Sequence, residues 1–247
     1  MRPFGQHFLV DEKIAQKVVE QFADESDGML VEIGAGRGFI TKHLLQNGFK
    51  VVAYEIDEQI AEELQNIHTD DLQVRIKDFL TVNSQELPHL DCCVGSIPYQ
   101  ISSELMNKII TLNFRKAVLI VQKEFANKLM SKPSSKRYTF ISVLVQSFYS
   151  IRKICTIPRS SFSPPPKVDS AMIVLRRKEQ VPDFHKYVSF LRKLFNSPNK
   201  NVRNVLKGLQ GTTSEIVHKR VRDLTIDEII RLYECYEEWL DDKSGTF

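Results

Sequence analysis

The chain has 247 residues, of which 42% are hydrophobic and 26% charged, with 34 Lys and Arg against 31 Asp and Glu. These proportions belong to a folded chain with a full core; they exclude wholesale disorder, and no apolar run approaches the ~18–20 residues that a membrane helix needs. The net charge of +3 conceals a division: residues 1–112 sum to −9, residues 113–222 to +18 and residues 223–247 to −6, which suggests one surface for a small ligand and another for a polyanion.

The opening eight residues carry a charge but no apolar stretch, so they are not a secretory signal. Residues 29–33 read as a short strand running into glycines. Residues 39–47 have helical spacing, with Ile40, Leu44 and Leu45 on one face and Gly48 placed to stop them. Residues 50–55 are the next strand, and Ile60, Ala61 and Leu64 mark the next helix. Strands follow at 72–76 and 90–94, a helix at 101–112 and a buried-type strand at 117–121. Strands alternating with helices predict a parallel sheet with helices on both faces. After Lys123 the pattern changes. A helix at 125–130, a polar basic loop at 131–137 and a helix at 139–148 lead to strands at 151–157 and 171–175, expected as a closing antiparallel pair joined through Phe162-Ser163-Pro164-Pro165-Pro166. From about Pro182 onward the periodicity is helical only, at 184–195, 201–209, near Val217 and at 226–240. Cys92, Cys93, Cys155 and Cys235 show no C-x-x-C spacing; they read as reduced core cysteines of a cytoplasmic protein, with no metal and no disulfide.

Glu32-Ile33-Gly34-Ala35-Gly36-Arg37-Gly38 follows a strand and opens a helix, where glycines let the backbone turn sharply and approach a ligand. Glu55 stands at the end of the next strand, where a carboxylate can accept both ribose hydroxyls. The spacing is not the G-x-G-x-x-G of dinucleotide sites. Glu32 would repel a pyrophosphate but suits an ammonium or sulfonium charge. S-adenosylmethionine (SAM) has a ribose, an amino group and a sulfonium. Lys77-Asp78-Phe79 adds a carboxylate able to accept from an adenine amino group, although Asp78 reads equally well as a helix cap.

Gly95-Ser96-Ile97-Pro98-Tyr99 ends the fourth strand, at the ligand-binding edge of such a sheet. It resembles the (Asp/Asn/Ser)-x-Pro-(Tyr/Phe) motif of amino-methyltransferases. The exocyclic amine of adenine is a poor nucleophile because its lone pair is delocalised. A side-chain acceptor on Ser96 and the Ile97 carbonyl, both bonding its hydrogens, favour a pyramidal nitrogen. Pro98 fixes the backbone so that the carbonyl points inward, and Tyr99 can stack on a base flipped out of its helix. Further segments extend the resemblance: Gly5-Gln6-His7-Phe8-Leu9, Gln122-Lys123-Glu124, Phe162 to Ala171 with its Pro-Lys-Val-Asp-Ser-Ala run, Arg192 to Leu206, and Arg220 to Leu232. Together, in order and over almost the whole chain, they resemble the KsgA-type ribosomal RNA adenine dimethyltransferases.

That resemblance implies a Rossmann-like class I SAM-dependent methyltransferase sheet with a small C-terminal helical domain, divided at 1–180 and 181–247. It implies SAM as cofactor, held by His7, Leu9, Glu32, Gly34, Gly36, Gly38, Glu55, Ile56, Asp78, Phe79 and Ser96. The catalytic set would be Ser96, Ile97, Pro98, Tyr99 and Phe162, with Phe162 either stacking on the target base or anchoring the proline loop. The implied reaction is dimethylation of two adjacent adenosines near the 3′ end of small-subunit rRNA, by an enzyme expected to be a monomer without metal or membrane contacts. The basic middle of the chain supplies the RNA partner surface, with Lys132, Arg137, Lys167, Arg192, Lys200 and Arg203 as candidates. One departure stands out: the family usually has Asn where this chain has Ser96. Two rivals stay open, an Erm-like enzyme acting on the large subunit and a ribosome-assembly factor with weakened catalysis.

Overall fold

The computed structural model describes residues 7–25, 28–87, 91–209, 212 and 214–244, apart from the side chains of Tyr99, Ser214, Lys243 and Ser244. The chain forms two compact units, Met1–Ala126 with Ile151–Arg177, and Asn127–Ser150 with Lys178–Phe247.

The first unit opens with β1 (Phe8–Leu9) and α1 (Glu12–Glu20), followed by β2 (Met29–Ile33), α2 (Phe39–Gln46), β3 (Lys50–Glu55), α3 (Glu58–Gln65) and β4 (Leu72–Ile76). Next come β5 (Cys92–Ser96), α4 (Ser102–Thr111), β6 (Lys116–Gln122) and α5 (Lys123–Leu129), which crosses the boundary between the units. A seven-stranded sheet carries the order β4-β3-β2-β5-β6 and is completed by two later strands. Its pairs from β4 to β6 are all parallel. The apolar runs explain this: Leu30, Val31, Val94, Val118 and Leu119 are buried at or near 0% exposure, as strands covered on both faces must be. β3 and β4 lie to one side of β2, and β5 and β6 to the other. The chain therefore reverses direction across the sheet between β2 and β5, and a crevice opens at the carboxyl ends of those strands.

The later strands are β7 (Tyr149–Ile157), β8 (Phe162–Ser163) and β9 (Ser170–Arg177). β9 runs antiparallel to β6, with Val118 opposite Val174, and β7 takes the outer edge. The order follows burial: β9 is buried from Ser170 to Leu175, whereas β7 is largely half-exposed, as an edge strand is. β8 leaves this sheet and pairs antiparallel with β1, Leu9 opposite Phe162 and Phe8 opposite Ser163.

Three of these elements, α1, β1 and β8, were not anticipated from sequence. α1 has a clear physical basis. Asp11 caps it by accepting from the Lys13 and Ile14 amides, and Ile14, Ala15, Val18 and Val19 form its buried face. The β1–β8 ribbon has two residues per strand and no periodicity to read.

The second unit holds α6 (Phe140–Phe148), α7 (Phe184–Phe195), α8 (Val202–Val205), α9 (Ser214–His218) and α10 (Ile226–Ser244). Its division from the first differs from the expected one at residue 180, because residues 127–150 group with the C-terminal helices. Packing explains why. Phe148 on α6 meets Phe184 and Tyr187 on α7 edge-on, and the Ser147 hydroxyl lies 2.7 Å from the Tyr187 hydroxyl. Tyr187 and Phe190 pack in turn on Tyr233 of α10. The helix expected over 201–209 is shortened to α8, since Leu206 departs from helical backbone and Gly208 turns left-handed at φ +81°.

Candidate functional site

The crevice is a cavity of about 780 Å³, lined entirely from the first unit. One wall is the glycine loop. Gly34, Gly36 and Gly38 all have positive φ. At Gly36 the requirement is double: a Cβ there would stand 3.1 Å from the Phe8 ring, so only glycine lets the β1 segment close against the loop. Arg37 lies over that ring, its guanidinium carbon 5.2 Å from the centroid.

Glu55 is 5% exposed and held by three backbone amides: Gly36 N donates to Oε2 at 2.8 Å, and Ile56 N and Asp57 N donate to Oε1 at 2.9 and 3.1 Å. The carboxylate is thus fixed by the loop and keeps capacity for a further donor, chiefly at Oε2, where one protein bond is made. The expectation that it serves two ribose hydroxyls alone did not include these amides.

Glu32 is more confined. It is 2% exposed, and its Oε2 accepts from the Thr41 hydroxyl of α2 at 2.6 Å. Burial pushes its carboxyl up to about 8; the Thr41 bond only partly opposes this, and Glu55 nearby reinforces it. A buried acid beside a cavity, partnered by the neutral Thr41 and by no cation among the described residues, suits a ligand that brings positive charge.

At the far side, Asp78 caps the turn Phe79–Thr81, its Oδ1 accepting from Leu80 N at 2.9 Å. Asp78 thus serves as a cap, and it also lines the cavity. Phe79 is buried edge-on against Tyr54 at 5.2 Å, and Ile56, 47% exposed, stands at the mouth. From the β1 side, Leu9 is buried in the wall, and His7 Nδ1 lies 2.8 Å from the Pro164 carbonyl.

Ser96 ends β5 inside the same cavity, and Ile97 and Pro98 follow along its wall. The Ile97 amide donates to Ile120 O at 2.9 Å, which pins the turn to β6. The backbone of Tyr99 opens the turn Tyr99–Ile101; its side chain, expected to stack on a base, lies outside the described residues, as do Gly5 and Gln6. Phe162 lines the cavity and is 4% exposed, packed with the core. Thr41, Gln100 and Phe8 line or support the site without having been singled out from sequence. Thr41 could have been found by placing it on the strand-facing side of α2.

The basic candidates fall in two places. Lys167 is exposed in the turn between β8 and β9 of the first unit, while Lys132, Arg137, Arg192, Lys200 and Arg203 are exposed on the second. There the 131–137 loop is tied to the turn Val221–Asp223 by Ser134 N donating to Arg222 O and by Arg222 donating to Ser134 O. Val221 N donates to Lys200 O, so the 131–137, 198–203 and 219–223 segments share one region of that unit.

A family model described as ribosomal RNA adenine dimethylase matches residues 2–238. The chain belongs to this family. It is 37% identical over 240 residues to the ribosomal RNA small subunit methyltransferase A of Thermotoga neapolitana, covering 96% of this chain and 92% of that one. A dimethyladenosine transferase from Plasmodium falciparum has a similar structure, with a TM-score of 0.80 at 27% identity over 92% of this chain and 96% of that one. The 23S rRNA methyltransferase ErmE follows with a TM-score of 0.68 at 25% identity, over 92% and 98%. The fold is that of the class I SAM-dependent methyltransferases, and SAM is the cofactor.

A second depression, of about 630 Å³, lies beside α3 and β4. It is open and polar, and none of the glycine loop reaches it. Among the described residues, no three His, Cys, Asp or Glu side chains gather as a metal site, and no helix is long and apolar enough to cross a membrane.

Proposed function

We propose that this chain is a SAM-dependent dimethyltransferase of small-subunit rRNA, acting on two adjacent adenosines near the 3′ end, with a role in ribosome biogenesis. The observation that carries the reading is the Ser96-Ile97-Pro98 segment lining one cavity with the glycine loop, Glu32 and Glu55, in a chain of the rRNA adenine dimethylase family. The relatives named for the small subunit favour that target over an Erm-like one.

The cavity fits SAM. Glu55 offers a fixed acceptor for ribose, Asp78 one for adenine, and Glu32 a carboxyl for the charged end, while Gly36 leaves space that a side chain would fill. Bound there, SAM supplies a methyl group activated by its sulfonium. The protein's own work is positioning. The Ile97 carbonyl and the Ser96 hydroxyl hold the amine hydrogens, so that the nitrogen lone pair is free to form the N–C bond as the S–C bond breaks. A neutral thioether is left, and the surplus proton passes to water. Pro98 holds the carbonyl inward and Tyr99 stacks on the extruded base. Phe162 holds the proline loop against β1.

Lys132, Arg137, Arg192, Lys200 and Arg203, with Lys167, meet rRNA phosphates, so binding to the subunit weakens steeply with salt. The enzyme works as a monomer in the cytoplasm. Four free cysteines, two of them buried, support that compartment. The test is transfer of labelled methyl from SAM to small subunits lacking the modification, followed by nucleoside analysis. Dimethyladenosine in small-subunit RNA is expected. Label confined to large-subunit RNA would move the assignment to the Erm group, and intact binding without label would leave an assembly factor.

A further inference from the structure

An adenine amine carries two hydrogens, and holding both requires two well-placed acceptors. The Ile97 carbonyl is one: it accepts no backbone hydrogen bond among the described residues, while its own amide is committed to Ile120. Ser96 is the other by position, but its oxygen sits a single bond beyond Cβ. The hydroxyl has no hydrogen-bond partner among the described residues and is half-buried in the cavity wall. One further neutral acceptor lines the same cavity from the same turn. Gln100 is exposed, and its carboxamide also has no partner among the described residues. Its backbone is held by the turn, since Ile101 N and the Ser102 hydroxyl both donate to Pro98 O at 3.3 Å. Its long side chain remains free to move.

Resting on the reaction proposed above, we infer that Gln100 is a catalytic residue: its carboxamide oxygen shares with the Ser96 hydroxyl, in a bifurcated bond, the amine hydrogen that the Ile97 carbonyl does not hold. After the first transfer the nitrogen has one hydrogen left, and the Ile97 carbonyl keeps it. The methyl group then needs the space that Gln100 vacates and that serine, being small, leaves open. Gln100 thus acts on the first methylation and stands aside for the second.

The experiment uses the full chain at saturating SAM with unmethylated small subunits in a single turnover, counting mono- and dimethyladenosine separately. Gln100→Ala should slow the first transfer about tenfold, the effect of one lost neutral hydrogen bond in the transition state. The second transfer should stay within about twofold, and the affinities for SAM and for the subunit should be unchanged. Gln100→Glu, which keeps an acceptor, should recover most of the first rate. In a Ser96→Asn background the loss on Gln100→Ala should shrink to about threefold or less, because the Asn carboxamide takes over the bond. Equal losses in both backgrounds would overturn the inference. So would a wild-type first rate in Gln100→Ala, or a loss confined to subunit affinity, which would place Gln100 on flanking RNA. Absence of label from wild-type enzyme would defeat the proposed reaction itself, and this inference with it.

Discussion

At the start of β6, Lys116 is fully buried, yet it pairs with Asp24, lies 3.5 Å from Glu25 and sits over the Phe22 ring. Arg176 bonds Asp24 at 2.8 Å, and Arg115 pairs with Glu25 and reaches Cys92 Sγ at 3.5 Å. These cations hold Asp24 far below the ordinary carboxylate range, and Glu25 is also lowered although its burial opposes this. At the opposite end of the same strands, Glu32 is equally buried but its hydrogen bonds come from Thr41, a neutral residue, while Ser96 and Gln100 have no side-chain partner among the described residues. One end of the sheet satisfies its charges internally and the other leaves polar groups for something that arrives. This contrast separates structure from function inside a single sheet.

The contrast is broken most directly at the paired end. Asp24→Ala leaves Lys116 with one more distant carboxylate, and unfolding should become easier by about 2 kcal/mol, a value reduced because Asp24 is itself half-exposed. Methyl transfer by the folded fraction should not change. A denaturation curve matching wild type would mean that the network is ornamental. Because Asp24 is lowered when folded, its contribution is present above its ordinary range and is lost as pH falls through the folded value; the variant should therefore lose part of the wild-type acid sensitivity.

At the open end, Glu32→Gln should weaken SAM binding about tenfold, measured by calorimetry, while raising thermal stability near pH 8. The signs follow from the raised carboxyl. Without cofactor, the folded state keeps a proton that the unfolded state releases above about 4.5, so stability declines from there to about 8 and then levels. A cationic ligand favours the ionised form, so SAM affinity in wild type should rise severalfold from pH 6 to 8.5, with proton release on binding at the lower pH. Glu32→Gln should flatten both slopes, and a retained slope in affinity would assign it to another group. The smallest effect belongs to Arg37, half-exposed and 3.8 Å from Glu63. Arg37→Ala should speed SAM dissociation about twofold through the lost ring contact; an unchanged rate would show that Phe8 seats on Gly36 unaided.

Much of the open end was legible in the sequence because its parts are local. The glycine loop, Glu55 and the Ser96–Tyr99 turn each follow a strand that its apolar run announces. The paired end was not legible: Lys116 begins what looks like an ordinary buried strand, and its partners Asp24 and Glu25 lie about ninety positions earlier. Distance along the chain also hid the grouping of residues 127–150 with the C-terminal helices, since periodicity shows that 139–148 is helical but not which aromatic face it meets. α1 is legible in the Asp11 cap and the apolar spacing of Ile14, Ala15, Val18 and Val19.

The ribbon of β1 and β8 has a thermodynamic consequence. Its two strands come from opposite ends of the first unit's sequence: Phe8, Leu9 and Phe162 all line the cavity, and β8 also leads into the loop that runs on to the exposed Lys167. The Ser161 hydroxyl donating to Asp11 at 2.7 Å and Val10 N donating to Ser161 O lengthen the shared seam. Should SAM steady one strand and RNA the other, the shared seam predicts positive coupling of equal size in both directions, which SAM affinity measured with and without bound subunit would check. The order in which cofactor and RNA arrive then changes the route to the ternary complex but not its stability.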